Sequence, residues 1–169
     1  MARGVNVAVT SDGTSPRRPF DMLLTARTAQ QAQQTMHNDQ FLLPPGKMLE
    51  MITIDAARAL GLEHEIGSLE AGKKADVAIL DMRQPHLTPN WMPVHRLIYE
   101  ANGADVDTVI VDGKVLMEGR TVLGTSVEDV VAEGEHEARA LLERAGIERF
   151  LYDPGWGRLS RTFEEPIVI

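Results

Sequence analysis

Asp12 stands in the setting most able to do chemistry in this chain. Val5, Val7 and Val9 alternate with other residues and run directly into Thr10-Ser11-Asp12-Gly13. A carboxylate on the loop that ends a strand can take a proton from a water and hand it to a leaving group. Beside a metal it can ligate and shuttle together. The same residues also spell an ordinary Asp-Gly turn after a strand, and on local grounds alone that plain reading prevails.

Partners for such an acid are scarce. An open catalytic metal site needs about three or more protein ligands. The histidines are His37, His64, His86, His95 and His136, with no His-x-His pair among them. None ends a strong strand, so all five read as non-ligands. His86 and His95 flank a Pro-rich loop, and only one of these two, if any histidine, would line a substrate pocket. Cysteine is absent, which removes disulfides and thiolate sites. There is no P-loop, no dinucleotide fingerprint and no nucleophile elbow. Glu164-Glu165 reads as a solvated tail, and Glu133, Glu135 and Glu137 as the water face of a helix. A small enzyme pairing Asp12 with Glu50 or Asp21 lacks a pocket legible in the sequence.

The elements that must carry Asp12 follow from periodicity. Residues 4–10 predict a buried strand. Residues 14–19, with two prolines and two arginines, predict a loop. A helix is expected from Asp21 to about Met36, with Met22, Leu23, Ala26, Ala29 and Gln33 on one side. After Pro44-Pro45-Gly46, the spacing of Leu49, Ile52, Ala56, Ala59 and Leu60 predicts one more helix, stopped by Gly61. Gly67 and Gly72 frame a turn with Lys73 and Lys74 exposed, leading to a strand over 75–80. His95–Tyr99 suggests a short strand. Asp112-Gly113 between Val109-Ile110-Val111 and Val115-Leu116-Met117 is a strong hairpin signal. A last helix starts at Ser126, with Glu128 and Asp129 in its first turn, and stops at Gly146. Its apolar face is Val127, Val130, Val131, Ala138, Leu141, Leu142 and Ala145. Phe150, Tyr152, Trp156 and Phe163 lie in a tail that reads as an extended arm.

Length and charge bound these readings. The chain has 169 residues and a formal net charge of −8. The acidity argues against a nucleic-acid partner. No apolar run approaches membrane-spanning length and no signal segment is legible, so a cytoplasmic setting without a membrane partner is expected. A complete β/α barrel needs about 250 residues, and about 200 at least, so the chain is too short to hold one.

In this order, Ser11-Asp12-Gly13, Asp21-Met22 and the segment Ile66-Gly67-Ser68-Leu69-Glu70-Ala71-Gly72-Lys73-Lys74-Ala75-Asp76-Val77-Ala78-Ile79-Leu80-Asp81 resemble the C-terminal part of a metal-dependent amidohydrolase. The likeness is to the branch holding cytosine, guanine and adenosine-type deaminases and triazine chlorohydrolases. It extends roughly from Gly4 to Val122, and downstream it includes Tyr99, Gly103, Val106, Val109, Val111, Gly113 and Lys114.

The resemblance implies an α/β fold: the end of a TIM-type β/α barrel (last strand and helices), the C-terminal part of a small β-sandwich, and a C-terminal helix and arm. The corresponding divisions are 1–62, 63–125 and 126–169. It implies that Asp12 is a metal ligand and proton shuttle in a hydrolase acting on non-peptide C–N bonds, or a C–Cl bond, of a nucleobase- or triazine-like heterocycle. It implies Zn or Fe in the complete enzyme, with none tightly bound to this chain alone because the histidine ligands are missing.

Where the family shows a Ser-Asn-Asn-like loop, this chain has Ser15-Pro16-Arg17-Arg18-Pro19. Arg17 or Arg18 would meet an anionic substrate group, or else remain solvated. On this reading the chain is a fragment, inactive by itself. It is expected to form a homo-oligomer or to pair with a chain that supplies the N-terminal part. The alternative is a non-catalytic, β-rich assembly module of amidohydrolase descent.

Overall fold

The computed structural model describes residues 4–13 and 20–148. The chain forms two compact units, Met1–Leu123 and Gly124–Ile169.

The first unit begins with the segment that carries Asp12. The expected buried strand is not formed. Residues 4–10 have no ladder partner among the described residues, and Val5 remains 63% exposed. A barrel strand takes its hydrogen bonds from neighbouring strands, and among the described residues none pairs with this one. Val9 N instead donates to Met51 O at 3.1 Å.

Helix α1, Met22–His37, starts where Asp21 caps it: one carboxylate oxygen accepts from Leu24 N at 3.0 Å. It stops at Asn38, whose left-handed backbone (φ 49°) suits an asparagine C-cap. Ala26 and Gln30 are its fully buried positions. Gln30 is unexpected there. Its amide donates to Leu43 O and so ties the loop after α1 to the helix.

The helix expected from Leu49 to Leu60 is two helices, α2 (Pro45–Met51) and α3 (Ile54–Leu60). Thr53 breaks them apart. Its hydroxyl donates back to Leu49 O at 2.6 Å, and its own backbone leaves the helical region (φ −128°, ψ −97°). The break resets the helical phase. Asp55 and Ala57 turn inward, while Ala59 and Leu60, expected on the apolar face, are exposed. Gly61 stops α3 in left-handed geometry as expected.

Strand β1, Val77–Leu80, leads to an excursion that contains α4, Pro93–Tyr99. The strand expected at His95–Tyr99 is therefore helix. Pro93 opens it in the first turn, where a missing N–H costs nothing, and Ile98 is buried. Ile98 joins Ala26, Met48 and Met51 in the core, with Val9, Leu43, Leu49 and Ile52 packed around them. Arg27 of α1 reaches the Ile98 and Ala101 carbonyls at the end of α4.

Strands β2 (Val106–Val111), β3 (Lys114–Glu118) and β4 (Thr121–Val122) complete a four-stranded antiparallel meander in the order β1-β2-β3-β4. Asp112 and Gly113 both have positive φ (50° and 76°), as a two-residue hairpin of matching twist requires. Gly119 and Arg120 repeat the device before β4.

In the second unit, α5 spans Val127–Ala145. Ser126 caps it by accepting from Asp129 N at 3.0 Å, and Gly146 ends it at φ 64°. None of its residues is buried. The expected arm beyond it lies outside the described residues.

Candidate active site

Asp12 is exposed and sits at φ 57°, a left-handed conformation that Asp tolerates better than most residues. Its N–H lies 3.4 Å from Thr10 Oγ1, and Ser11 Oγ lies 3.5 Å from its carbonyl oxygen. Two hydrogen bonds among the described residues tie the segment to the helices. One is the Val9–Met51 bond. The other is Asn6, whose amide donates to Asp55 O at 2.8 Å.

Asp55 is itself braced. Its buried carboxylate accepts from Lys47 Nζ of α2 at 2.6 Å and from Arg58 of α3 at 2.7 Å. The Lys47 hydrogen bond, above all, holds the Asp55 carboxyl below the usual carboxylate range, while its burial pushes the other way. Lys47 is raised in turn, chiefly by Asp55 and then by Glu50 at 3.0 Å. Sequence reading passed over Asn6 and Asp55. The available signal was a lone amide among alternating valines, and a helical acid flanked by Lys47 and Arg58.

Asp21 and Glu50, the acids considered as companions to Asp12, are engaged elsewhere. The second Asp21 oxygen accepts from Gly103 N at 2.8 Å, which joins the start of α1 to the turn before β2. Glu50 pairs with Lys47.

The histidines do not converge. His86 Nε2 lies 3.0 Å from the buried Asp105 carboxylate, which also accepts from Asn102 N. His95 tilts against Tyr99 with ring centroids 6.1 Å apart. His37 ends α1, and His64 lies 4.0 Å from Glu63. His136 is in α5, in the other unit. Among the described residues, no three His, Asp or Glu side chains come together in a way that could hold a metal ion. A single carboxylate does not supply the roughly three or more protein ligands that a catalytic metal needs. Arg17, Arg18 and the Glu164-Glu165 pair lie outside the described residues.

The Gly67–Gly72 turn is the best-built local structure near the start of the sheet. Gly67 has φ 91°, and a Cβ there would meet the Ala57 Cβ at 2.7 Å. Lys73 departs from the expected exposure. Its side chain is only 11% exposed, and its ammonium donates to Glu63 O and Ser68 Oγ, each at 2.6 Å, and meets Glu70 at 3.1 Å. Three acceptors brought together by the turn draw the lysine in. Lys74 remains outside, paired with Glu65 at 2.8 Å. An apolar cleft of about 860 Å³ lies beside this turn, lined by Leu23, Leu49, Ile52, Leu60, Leu69 and Val106 among others. Asp12 does not line it.

The model of the amidohydrolase family matches residues 1–116. The chain belongs to the amidohydrolase family.

Within this family, a 5-methylthioadenosine/S-adenosylhomocysteine deaminase of Desulforudis audaxviator is 46% identical over 143 residues, covering 85% of this chain and 33% of the relative. A zinc-bound adenosine deaminase of Xanthomonas campestris matches in structure with TM-score 0.75 and 31% identity, over 78% of this chain and 30% of that one. A zinc-complexed atrazine chlorohydrolase of Arthrobacter aurescens TC1 matches with TM-score 0.58 and 27% identity, over 66% and 25%. This amidohydrolase chain thus spans about a third of the length of the curated relatives it matches. Among its described residues, no helix is long and apolar enough to cross a membrane.

Proposed function

We propose that this chain is the Asp12-bearing third of a hydrolase that deaminates an adenosine-like heterocycle. Residues 1–62 would form the end of the β/α barrel, 63–125 part of the β-sandwich, and 126–169 a helix and arm. Asp12 is the metal ligand and proton shuttle of the assembled enzyme. A water attacks the ring carbon that bears the amino group, the Asp12 carboxylate takes the proton released, and the leaving nitrogen receives it as the C–N bond breaks. The product carries oxygen where the amine was, and ammonia leaves. The metal, Zn or Fe, would need its other donors from protein outside this chain. Arg17 and Arg18 would meet an anionic group of the substrate.

The observation that carries this reading is a segment ending in Ser11-Asp12-Gly13, docked on α2 and α3, in a chain 46% identical over 143 residues to a 5-methylthioadenosine/S-adenosylhomocysteine deaminase. Dechlorination of a triazine is the second chemistry, supported by the more distant chlorohydrolase match.

The test places this chain in the Desulforudis audaxviator relative, replacing that protein's matching stretch, and measures ammonia release, or chloride release for the chlorotriazine. The panel holds methylthioadenosine, adenosine, guanine, cytosine and a chlorotriazine. Turnover of the adenosine compounds is expected, with a loss of about 10³-fold or more in Asp12→Asn. An active hybrid indifferent to Asp12→Asn would overturn the role of Asp12. Stoichiometric zinc on the isolated chain would contradict the incomplete ligand set.

A non-catalytic assembly module is the other reading. The exposed Val127, Val130, Val131 and Leu141 of α5 favour it. It predicts self-association or partner capture by the isolated chain, and a stable monomer in sedimentation would count against it.

A further inference from the structure

We propose that Asn102 is a deamidation site that Asp21 holds unreactive. Asn102 precedes Gly103, and a residue without a side chain leaves its nitrogen open to the neighbouring side-chain carbonyl. The chemistry needs only water. The Gly103 nitrogen attacks the Asn102 side-chain carbonyl carbon, the C–N bond to the amide group breaks, and ammonia leaves with the proton that Gly103 N carried. Water then opens the cyclic imide at either of its carbonyls, leaving aspartate or isoaspartate.

Asn102 is half-buried and Gly103 is exposed, so water reaches the joint. Both reacting groups are nonetheless engaged. The Gly103 N–H donates to Asp21 Oδ2 at 2.8 Å. The Asn102 side-chain oxygen accepts from Ala104 N at 2.9 Å, and the Asn102 N–H donates to Asp105 at 2.9 Å, which fixes the residue at both ends. Ring closure has to turn the Asn102 carbonyl onto Gly103 N and remove the proton from that N–H. The Asp21 carboxylate holds the N–H with a charge-assisted bond, which is stronger than one between neutral groups.

Much hangs on this joint. Asp105 also receives His86 at 3.0 Å, and its carbonyl accepts from Asp81 N at 2.8 Å. Isoaspartate would add a carbon to the main chain at Asn102 and undo the cap that holds Asp105. Asp21 thus uses one oxygen to cap α1 and the other to protect Asn102.

The test compares the unaltered full chain with Asp21→Ser and with Asp21→Ser combined with Gly103→Ala. Serine caps a helix about as well as aspartate, and its one hydroxyl is spent on the cap, so α1 is kept and the Gly103 bond is lost. Gly103 lacks the left-handed backbone that resists a side chain, and a Cβ there would lie 3.5 Å from Asp21 Oδ2, an ordinary contact. That Cβ crowds the attacking nitrogen. Each chain is held in mildly alkaline buffer, and conversion of Asn102 is followed by peptide mass spectrometry, with isoaspartate distinguished by fragmentation. Asp21→Ser is expected to convert about tenfold faster than the unaltered chain, and Gly103→Ala to remove that gain. Amide exchange in β2 and β3 is expected to stay unchanged. The unaltered chain should convert at least about tenfold faster in urea than when folded. Equal conversion in Asp21→Ser and the unaltered chain overturns the proposal, as does conversion as fast in the folded chain as in urea. A gain accompanied by faster exchange throughout β2 and β3 assigns it to general loosening and overturns the proposal too.

Discussion

The segment around Asp12 and the turn around Gly67 are opposites. Both carry motifs of the family. The first has the candidate carboxylate and little regular structure: Val5 and Val7 are exposed, no ladder forms among the described residues, and hydrogen bonds from Asn6 and Val9 tie it to the helices. The second has no catalytic group and is densely built, with a glycine pressed on Ala57 and a lysine drawn into three acceptors. The proposed chemistry and the densely built structure are therefore separated along this chain. The acid borrows its position from neighbours, while the turn makes its own.

That contrast can be broken most forcefully at Gly67. Gly67→Ala adds a Cβ at 2.7 Å from the Ala57 Cβ on a left-handed backbone. It should cost about 3 kcal/mol in urea unfolding. A cost below about 1 kcal/mol would show that the turn yields and that its density is apparent only.

Asp55 comes next, as the brace behind the weaker region. Asp55→Ala is expected to cost about 2 kcal/mol by removing a buried, doubly paired carboxylate. Its folded pKa lies below its unfolded value. Its contribution is therefore fully present above the ordinary carboxylate range and lost as pH falls through the lowered folded value. The gap between Asp55→Ala and the unaltered chain should be widest near neutrality and narrow in acid. A gap that widens in acid would reverse the sign of the coupling.

Lys73→Met sharpens the contrast more gently. Methionine keeps the apolar stem and loses all three acceptors, for about 1–2 kcal/mol in thermal or urea unfolding. If the change is neutral, the lysine is held in place by the turn and does not hold it together.

The smallest effect is expected at the chemical residue itself. Asp12→Asn should shift the unfolding midpoint by less than about 0.5 kcal/mol, since the side chain is exposed. A large destabilisation would mean that Asp12 serves the fold, and the separation between the two regions would fail.

Much of the local structure was legible. Asp21 and Ser126 as caps, Asn38 aside, were read from their types and places, as were Gly61 and Gly146 as stops and Asp112-Gly113 as a hairpin. Each depends on residues a few positions apart. The misreadings share one cause. Thr53 was hidden inside a helical pattern, and its break turned Leu60 out and Asp55 in. His95–Tyr99 looked strand-like until Pro93 and the buried Ile98 made it a helix. Lys73 looked solvated until Glu63, Ser68 and Glu70 surrounded it.

The sequence alone thus determined the hairpin turn, the caps and the family. Those follow from backbone preferences and side-chain chemistry that act over a few residues. Only the tertiary structure decided which polar groups go inside and what holds the Asp12 segment, because burial and long-range hydrogen bonds depend on surfaces that meet from distant parts of the chain. Asn6 meets Asp55 across 49 positions, a distance that no local pattern spans.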